Sequence, residues 1–390
     1  MLHIPSNCTG CSACASICSQ KCIIMKENNA GFFFPEINSV ECIQCNLCEN
    51  VCPVIYEPYK SLQTLAYAVK NRNENERYVS TSGGIFSLLA ENVLDQGGIV
   101  FGAAYNNNFT VRHVVVTNRK ELSRLRGAKY TQSVIGTSFQ EVKTVLKSGK
   151  TVLFSGTPCQ CSGLKAFLGK DYDNLLLVDL ICHGVPSPKV WQTYIDYRSL
   201  KENEGIRPVG INMRSKVSGW SRYGYSTEFD YGSEHITRIQ NSQDLFMKAF
   251  VGNICIRNSC SDCVAKGVER CTDFTLGDYW GVWDQHPDFD DDKGTSIVFV
   301  HSEKGNRILK QISEQMEYLQ VDTEEAYKEN RSLVKSSVPH EKREEFLERV
   351  DVSNFEELIL EYFPLTEIGK IRFFQRIKEK VKDMLICKKC

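Results

Sequence analysis

The 390-residue chain carries almost no net charge: 47 lysines and arginines stand against 48 aspartates and glutamates, a formal balance of −1. So even a balance gives no field that would draw the molecule onto a polyanion, and nucleic-acid partners are not expected. Long apolar runs are also missing, and none approaches the roughly 20 residues of a membrane-spanning helix. The N-terminal MLHIPSNCTGC has neither the basic start nor the apolar core of a secretory signal, so a cytoplasmic location is expected. No G-x-G-x-x-G follows a strand pattern and no P-loop occurs, so the usual marks of nicotinamide and nucleoside-triphosphate folds are absent. What remains is an ordinary globular balance, 42% hydrophobic and 24% charged, in a chain long enough for two or three domains.

Cysteine is the exception. There are 18, nine of them before residue 53. In a reducing compartment dense cysteines read as metal ligands rather than disulfides. Cys8, Cys11, Cys14 and Cys18 have the spacing C-x2-C-x2-C-x3-C, and Cys42, Cys45, Cys48 and Cys52 repeat it before Pro53. Three thiolates on one tight loop reach three corners of a cubane, and in two-cluster ferredoxins the fourth comes from the other repeat. Cys8, Cys11, Cys14 and Cys52 are thus expected to hold one [4Fe–4S] cluster, and Cys42, Cys45, Cys48 and Cys18 the other. Zinc sites use separated cysteine pairs instead. Ser19 stands where a proline would follow Cys18, and Cys22 reads as a packed extra thiol. Between the repeats, IIMKENNAGFFFPEI predicts a hairpin turning at Asn28, Asn29 and Gly31, with Phe32 and Phe34 toward the clusters.

After a linker-like stretch near 53–65, strand and helix patterns alternate through the strand LLLVDLIC, which predicts an α/β domain with ligand sites in the loops after its strands. Residues 205–240 look β-rich, and 305–390 look charged and helical. At the end, Ile371, Phe374, Ile377, Val381 and Leu385 recur at helical spacing among lysines and arginines. Such a basic amphipathic helix packs on its own domain, docks a partner or makes peripheral contact with an anionic membrane. Cys387 and Cys390 close the chain.

Several motifs together carry a family likeness: STSGGIFS (80–87), RGAKYTQS (126–133), VLFSGTPCQCSGLKAFL (152–168), VDLICHGVPSP (178–188), MRSKVSGW (213–220) and CSDCVAKGVERCTDFTLGDYWG (260–281). The sequence resembles the coenzyme F420 hydrogenase/dehydrogenase beta-subunit family over about residues 1–305, departing from its usual pattern at Thr81 and Ala128. The resemblance implies FAD and a further [4Fe–4S] cluster beside it. The expected fold class is α/β (α+β overall). It comprises a bacterial-type two-cluster ferredoxin over 1–60 and a mixed α/β flavin-binding region, divided into family N-terminal (61–150) and C-terminal (151–305) domains. A helical tail over 306–390 completes it.

Within that resemblance the motifs read as chemistry. Ser82, Gly83 and Gly84 open a helix, whose free N–H groups would take the FAD pyrophosphate. Lys129 and Tyr130 suit flavin carbonyls or phosphate. Gly156, Thr157 and Pro158 follow a buried strand at the cofactor edge. The third cluster would use Cys159, Cys182, Cys260 and Cys263, with Cys161, Cys255 and Cys271 as competitors. Arg214, with Lys216 and Trp220, would meet an anionic cofactor, a substrate or a protein carboxylate, and Trp280 would stack nearby. Lys129, His183 and Asp278 would assist protonation, His183 alternatively being a satisfied core histidine. The expected activity is electron transfer between the clusters, FAD and a small molecule such as a deazaflavin. The expected protein partner is an electron donor or acceptor, such as a ferredoxin or oxidoreductase subunit. The rival is a non-catalytic electron-transfer subunit.

Overall fold

Alternating hydrophobicity in the first 60 residues gives a single hairpin, β1 (Ile23–Glu27) against β2 (Phe33–Ile37), antiparallel with Ile23 opposite Ile37 and Met25 opposite Pro35. The computed structural model describes residues 3–61 and 63–364. The hairpin turn uses the predicted residues: Asn28 Oδ1 accepts from the N–H groups of Ala30 and Phe32, and Gly31 takes a φ of 84°. The faces are the reverse of the expectation. Ile23, Met25, Pro35 and Ile37 look toward the cysteine loops, while Phe32 is buried among Trp191, Phe246 and Phe355 in the body of the protein. In a strand, neighbouring residues face opposite ways, so an error of one position exchanges the faces.

The body is a mixed sheet. Its strands are β3 (Leu65–Asn71), β4 (Ile99–Tyr105), β5 (Val111–Val116), β6 (Ser133–Val134), β7 (Val152–Ser155) and β8 (Leu175–Leu180). After β9 (Gly210–Ser215), β10 (Ser226–Asp230) and β11 (Ile236–Gln240), which form a separate small sheet, come β12 (Phe274–Asp278), β13 (Ser296–Val300) and β14 (Met316–Val321). The large sheet runs β14-β3-β13-β12-β8-β7-β4-β5-β6. Its centre, β12-β8-β7-β4, is parallel and its flanks are mainly antiparallel. All four central strands therefore end at one edge, where α/β sheets bind ligands.

Both faces of this sheet are covered. Val100, Leu153, Leu176 and Val178 pack with the helix Ile85–Asp95 on one face; Phe101, Phe154, Leu175 and Leu177 pack with helices Ser138–Lys147 and Pro158–Leu168 on the other. Cys11 and Ala13 belong to that second core, so the ferredoxin segment is built against the sheet's own helices. The segment expected to be helical contains the edge strand β14, whose four middle residues are exposed; a strand with one solvated edge reads as polar. The predicted basic helix over 371–385, with Cys387 and Cys390, lies outside the described residues. No helix among the described residues is long and apolar enough to cross a membrane.

Candidate functional site

The two cysteine repeats build two cavities, and the cavities are crossed. One is lined by Cys42, Cys45, Cys48 and Cys18 and is roofed by the pair Ile23 and Ile37. The other is lined by Cys8, Cys11, Cys14 and Cys52 under Met25 and Pro35. Both sets are those expected from the spacing. Among the described residues no three His, Cys, Asp or Glu side chains converge on one metal ion; the thiols instead ring spaces with four soft corners, the donor set a cubane takes. Cys22 lines the Cys18 cavity too, its sulfur 3.4 Å from that of Cys18. Cys45 is exposed whereas Cys11 is buried, so the Cys45 site faces outward and the Cys11 site faces the body.

A third group of thiols stands at the carboxyl edge of the sheet. Cys159 follows β7 as the second residue of the helix Pro158–Leu168, where the helix dipole favours a thiolate. Gln160 Oε1 shapes the preceding loop by accepting from the Thr157 N–H and hydroxyl at 3.0 and 3.1 Å. Cys182 follows β8, and Cys260 and Cys263 lie just before β12. Cys159, Cys182 and Cys260 each feel the charge of two others in the set, Cys263 included. Burial pushes each of those three thiols up to about 12, and a bound metal cation is what returns such a group to thiolate. Cys255 is isolated from the group near Arg343, and Cys161 and Cys271 face Asp179.

Beside this edge lies a buried arginine among polar and aromatic side chains. Arg214 at the end of β9 donates through Nη1 to Tyr130 Oη and Asp278 Oδ2, both at 2.9 Å, and lies over the Tyr225 ring at 3.8 Å. Burial opposes its charge, but Asp278, Tyr130 and Tyr225 outweigh that and hold it above its ordinary range. Its Nε and Nη2 are buried without a partner. A guanidinium with open donors fits an anionic group such as a cofactor phosphate. Trp280 stacks on Trp220 at 5.0 Å and meets Tyr223 at 4.7 Å. Lys129 Nζ is held by the carbonyls of Leu125, Arg126 and Gly127, and burial lowers it to about 7.

Other expected residues have different partners. The Gly83 N–H is spent on Ser296 Oγ at 2.9 Å, and a Cβ on Gly83 would stand 2.2 Å from the Val69 carbonyl. This glycine therefore lets strands approach, and the N–H expected to take a pyrophosphate is not free. Ser82 donates to the Thr295 carbonyl at 2.8 Å, and Gly84 is the helix cap at a φ of 84°. His183 is occupied on both sides, by Asn253 at 2.6 Å and Ser332 at 3.3 Å, and burial keeps it neutral at lower pH than usual. It is the satisfied histidine of the two readings. Asp278 is engaged by Arg214 and by Trp220 Nε1. Gly156 packs against Phe154 and Gln160 in the loop. Lys216 serves the carbonyls of Arg77, Ser82 and Lys293.

Sequence reasoning missed Lys266, which donates to the carbonyls of Cys182 and Ser332, and Tyr223 and Tyr225, which complete the aromatic wall. It also missed the buried Arg257. The tyrosines had a signal in the alternation of YGYSTEFD, which runs into β10; a single buried arginine has none.

Residues 149–326 match the family model for the C-terminal part of the coenzyme F420 hydrogenase/dehydrogenase beta subunit, and residues 7–55 match the 4Fe-4S dicluster domain. A curated relative, the F subunit of F(420)H(2) dehydrogenase from Methanosarcina mazei, is 21% identical over 187 residues, 45% of this chain and 53% of that one. The chain thus spans about half the length of the curated relative it matches. A solved structure, a xenon derivative of the F420-reducing [NiFe] hydrogenase complex from Methanosarcina barkeri, aligns with a TM-score of 0.44 and 17% identity over 77% of this chain and 89% of that one. Residues 149–326 are thus similar to the C-terminal part of the coenzyme F420 hydrogenase/dehydrogenase beta subunit, and they follow an N-terminal domain of the 4Fe-4S dicluster type.

Proposed function

We propose that the chain is an iron–sulfur flavoprotein oxidoreductase. It passes electrons between the two ferredoxin clusters, a third cluster at Cys159, Cys182, Cys260 and Cys263, and FAD, and on to a deazaflavin or another small reducible molecule. The observation that carries this reading is the order of the thiol groups. The exposed Cys45 site leads to the Cys11 site. Cys11 lies against Gly163 of the helix that bears Cys159, such that a Cβ on Gly163 would sit 3.0 Å from the Cys11 sulfur. Cys11 also feels the charge of Cys159.

The flavin would lie beside the third group. Arg214 has two buried, unpartnered nitrogens that would meet its phosphates, and Trp280 and Tyr225 supply aromatic faces. A bound flavin supplies the exchange between single electrons and a two-electron hydride. The protein's part is to exclude water with the Trp220, Trp280 and Tyr223 wall and to hold Arg214 in place through Asp278. Lys129, lowered to about 7, supplies or accepts a proton near neutral pH.

The test is anaerobic purification followed by iron, sulfide and flavin assay, then reduction of coenzyme F420 by the dithionite-reduced protein. Three clusters, one FAD and F420 reduction support the reading; full iron without flavin sinks it. A second reading, an electron-transfer subunit without its own substrate, draws support from the relative's designation as a subunit. It predicts complete clusters, no turnover alone, and recovery of activity with a partner oxidoreductase.

A further inference from the structure

Arg257 is buried at 1% exposure between the ferredoxin and the sheet edge. Its Nε donates to the Cys8 carbonyl at 2.9 Å, and its Nη1 donates to the Phe33 carbonyl at 3.0 Å and to Gln132 Oε1 at 3.3 Å. Its plane lies over Phe34 at 3.9 Å. Cys260 follows three residues later, within the same turn of chain (Asn258–Cys260). Nη2 is buried and has no partner, and none of the ion pairs among the described residues includes Arg257.

A buried cation without a carboxylate costs several kcal/mol unless negative charge lies near. Here the negative charge would be the thiolates of the loaded clusters. Cys8 belongs to one cluster set and Cys159 and Cys260 to another, and all three act on this guanidinium. Its hydrogen bonds and ring contacts go to Cys8, Gln132 and residues 32–34, on the side of the first cluster. An arginine stays charged at every pH the protein meets, so the charge is a fixture.

We propose that Arg257 is the shared counter-charge of the first ferredoxin cluster and the third cluster, raising the reduction potential of both and marking the crossing point for electrons between them. The proposal rests on the third-cluster reading above. The step it serves is a one-electron exchange: one site is oxidised as the other is reduced, and no bond or proton moves. A positive charge favours the reduced, more negative state of each site, so the two potentials move together and the gap between them changes little. Arg257 is a positioning residue, since it touches the ligand loops and not the reacting atoms.

The test is an anaerobic redox titration of the loaded full chain followed by electron spin resonance. Signals are assigned with Cys8→Ser and Cys45→Ser, which remove the first and second clusters separately. Arg257→Gln should lower the midpoint potentials of the first and third clusters and leave the second unmoved, whereas Arg257→Lys should stay near wild type. Gln132→Glu sets a carboxylate against Nη1, keeps the acceptor oxygen for Arg257 and the Phe33 N–H, and should lower the same two potentials. It decides the matter if Arg257→Gln does not fold. Unmoved potentials in Gln132→Glu, or three clusters shifting alike, would overturn the proposal. Wild-type iron for two clusters alone would overturn the third-cluster reading first, and that is measured before any variant is made.

Discussion

Cys52 is the residue whose role is easiest to mistake, because it sits in the second repeat and lines the first cavity. Crossed ligation makes a definite expectation for paired substitutions. Cys8→Ser and Cys52→Ser should each lose one cluster, and the double variant should lose no more iron than either. Cys45→Ser with Cys52→Ser should lose both clusters. Iron content alone separates these outcomes, and an additive loss in the Cys8/Cys52 pair would mean that the repeats are not crossed. A second residue-scale expectation concerns His113 on β5. Its Nε2 bonds the Ser155 carbonyl at 3.0 Å, next to the loop that carries Cys159, and burial depresses it from 6.5 to about 4. Between those values the unfolded chain binds a proton that the folded chain refuses. Stability is therefore complete above about 6.5 and falls as pH drops toward 4, by roughly 3 kcal/mol from this group. His113→Gln should reduce the slope of the denaturation midpoint between pH 7 and 5.5. Some slope remains, since burial depresses His301 further, to about 3.

The helix Pro158–Leu168 is the element that joins the ferredoxin to the sheet edge, and Gly163 is its contact point. Gly163→Val should push Cys11 out of place and prevent loading of the first cluster, while the second cluster loads normally; iron and spin quantitation would show it. The hairpin tip is similarly tight. A Cβ on Gly31 would lie 2.6 Å from Lys189 Cβ, at a φ of 84° that a side chain disfavours. Gly31→Ala should cost at least about 1 kcal/mol, read from chemical denaturation. At this scale much was legible beforehand. β4, β7 and β8 open on apolar runs, and C-x2-C-x2-C-x3-C points to both sets of cysteines that line the two cavities. The hairpin turn was legible from Asn28 and Gly31, but not which face Phe32 takes, because both faces are apolar and only tertiary packing separates them. Likewise Gly83 reads as a phosphate glycine in sequence and acts as a close-approach glycine in space. A pattern of residue types cannot tell a ligand's backbone from a neighbouring strand's.

In the whole molecule the ferredoxin is tied down at many points. Phe32 enters the helical core, the Ser187 hydroxyl bonds the Ala30 carbonyl at 2.6 Å, Gln140 reaches the Ser16 carbonyl at 3.0 Å, and the Ser61 N–H reaches the Arg270 carbonyl at 2.9 Å. A protease site placed after the exposed Tyr59 should therefore cut the chain without releasing the ferredoxin, and the two pieces should elute together on gel filtration. Separate elution would mean that the junction is weaker than its contacts. The buried end of the hairpin turn, Gly31 and Phe32, has one more consequence. Some redox proteins carry electrons on a domain that swings between two docking stations, and their turnover slows as the solvent thickens. With Phe32 locked inside the body, this ferredoxin has no such freedom. Sucrose should slow the encounter with an external donor and leave the electron's internal passage unchanged, so that the chain behaves as a soldered junction rather than a shuttle.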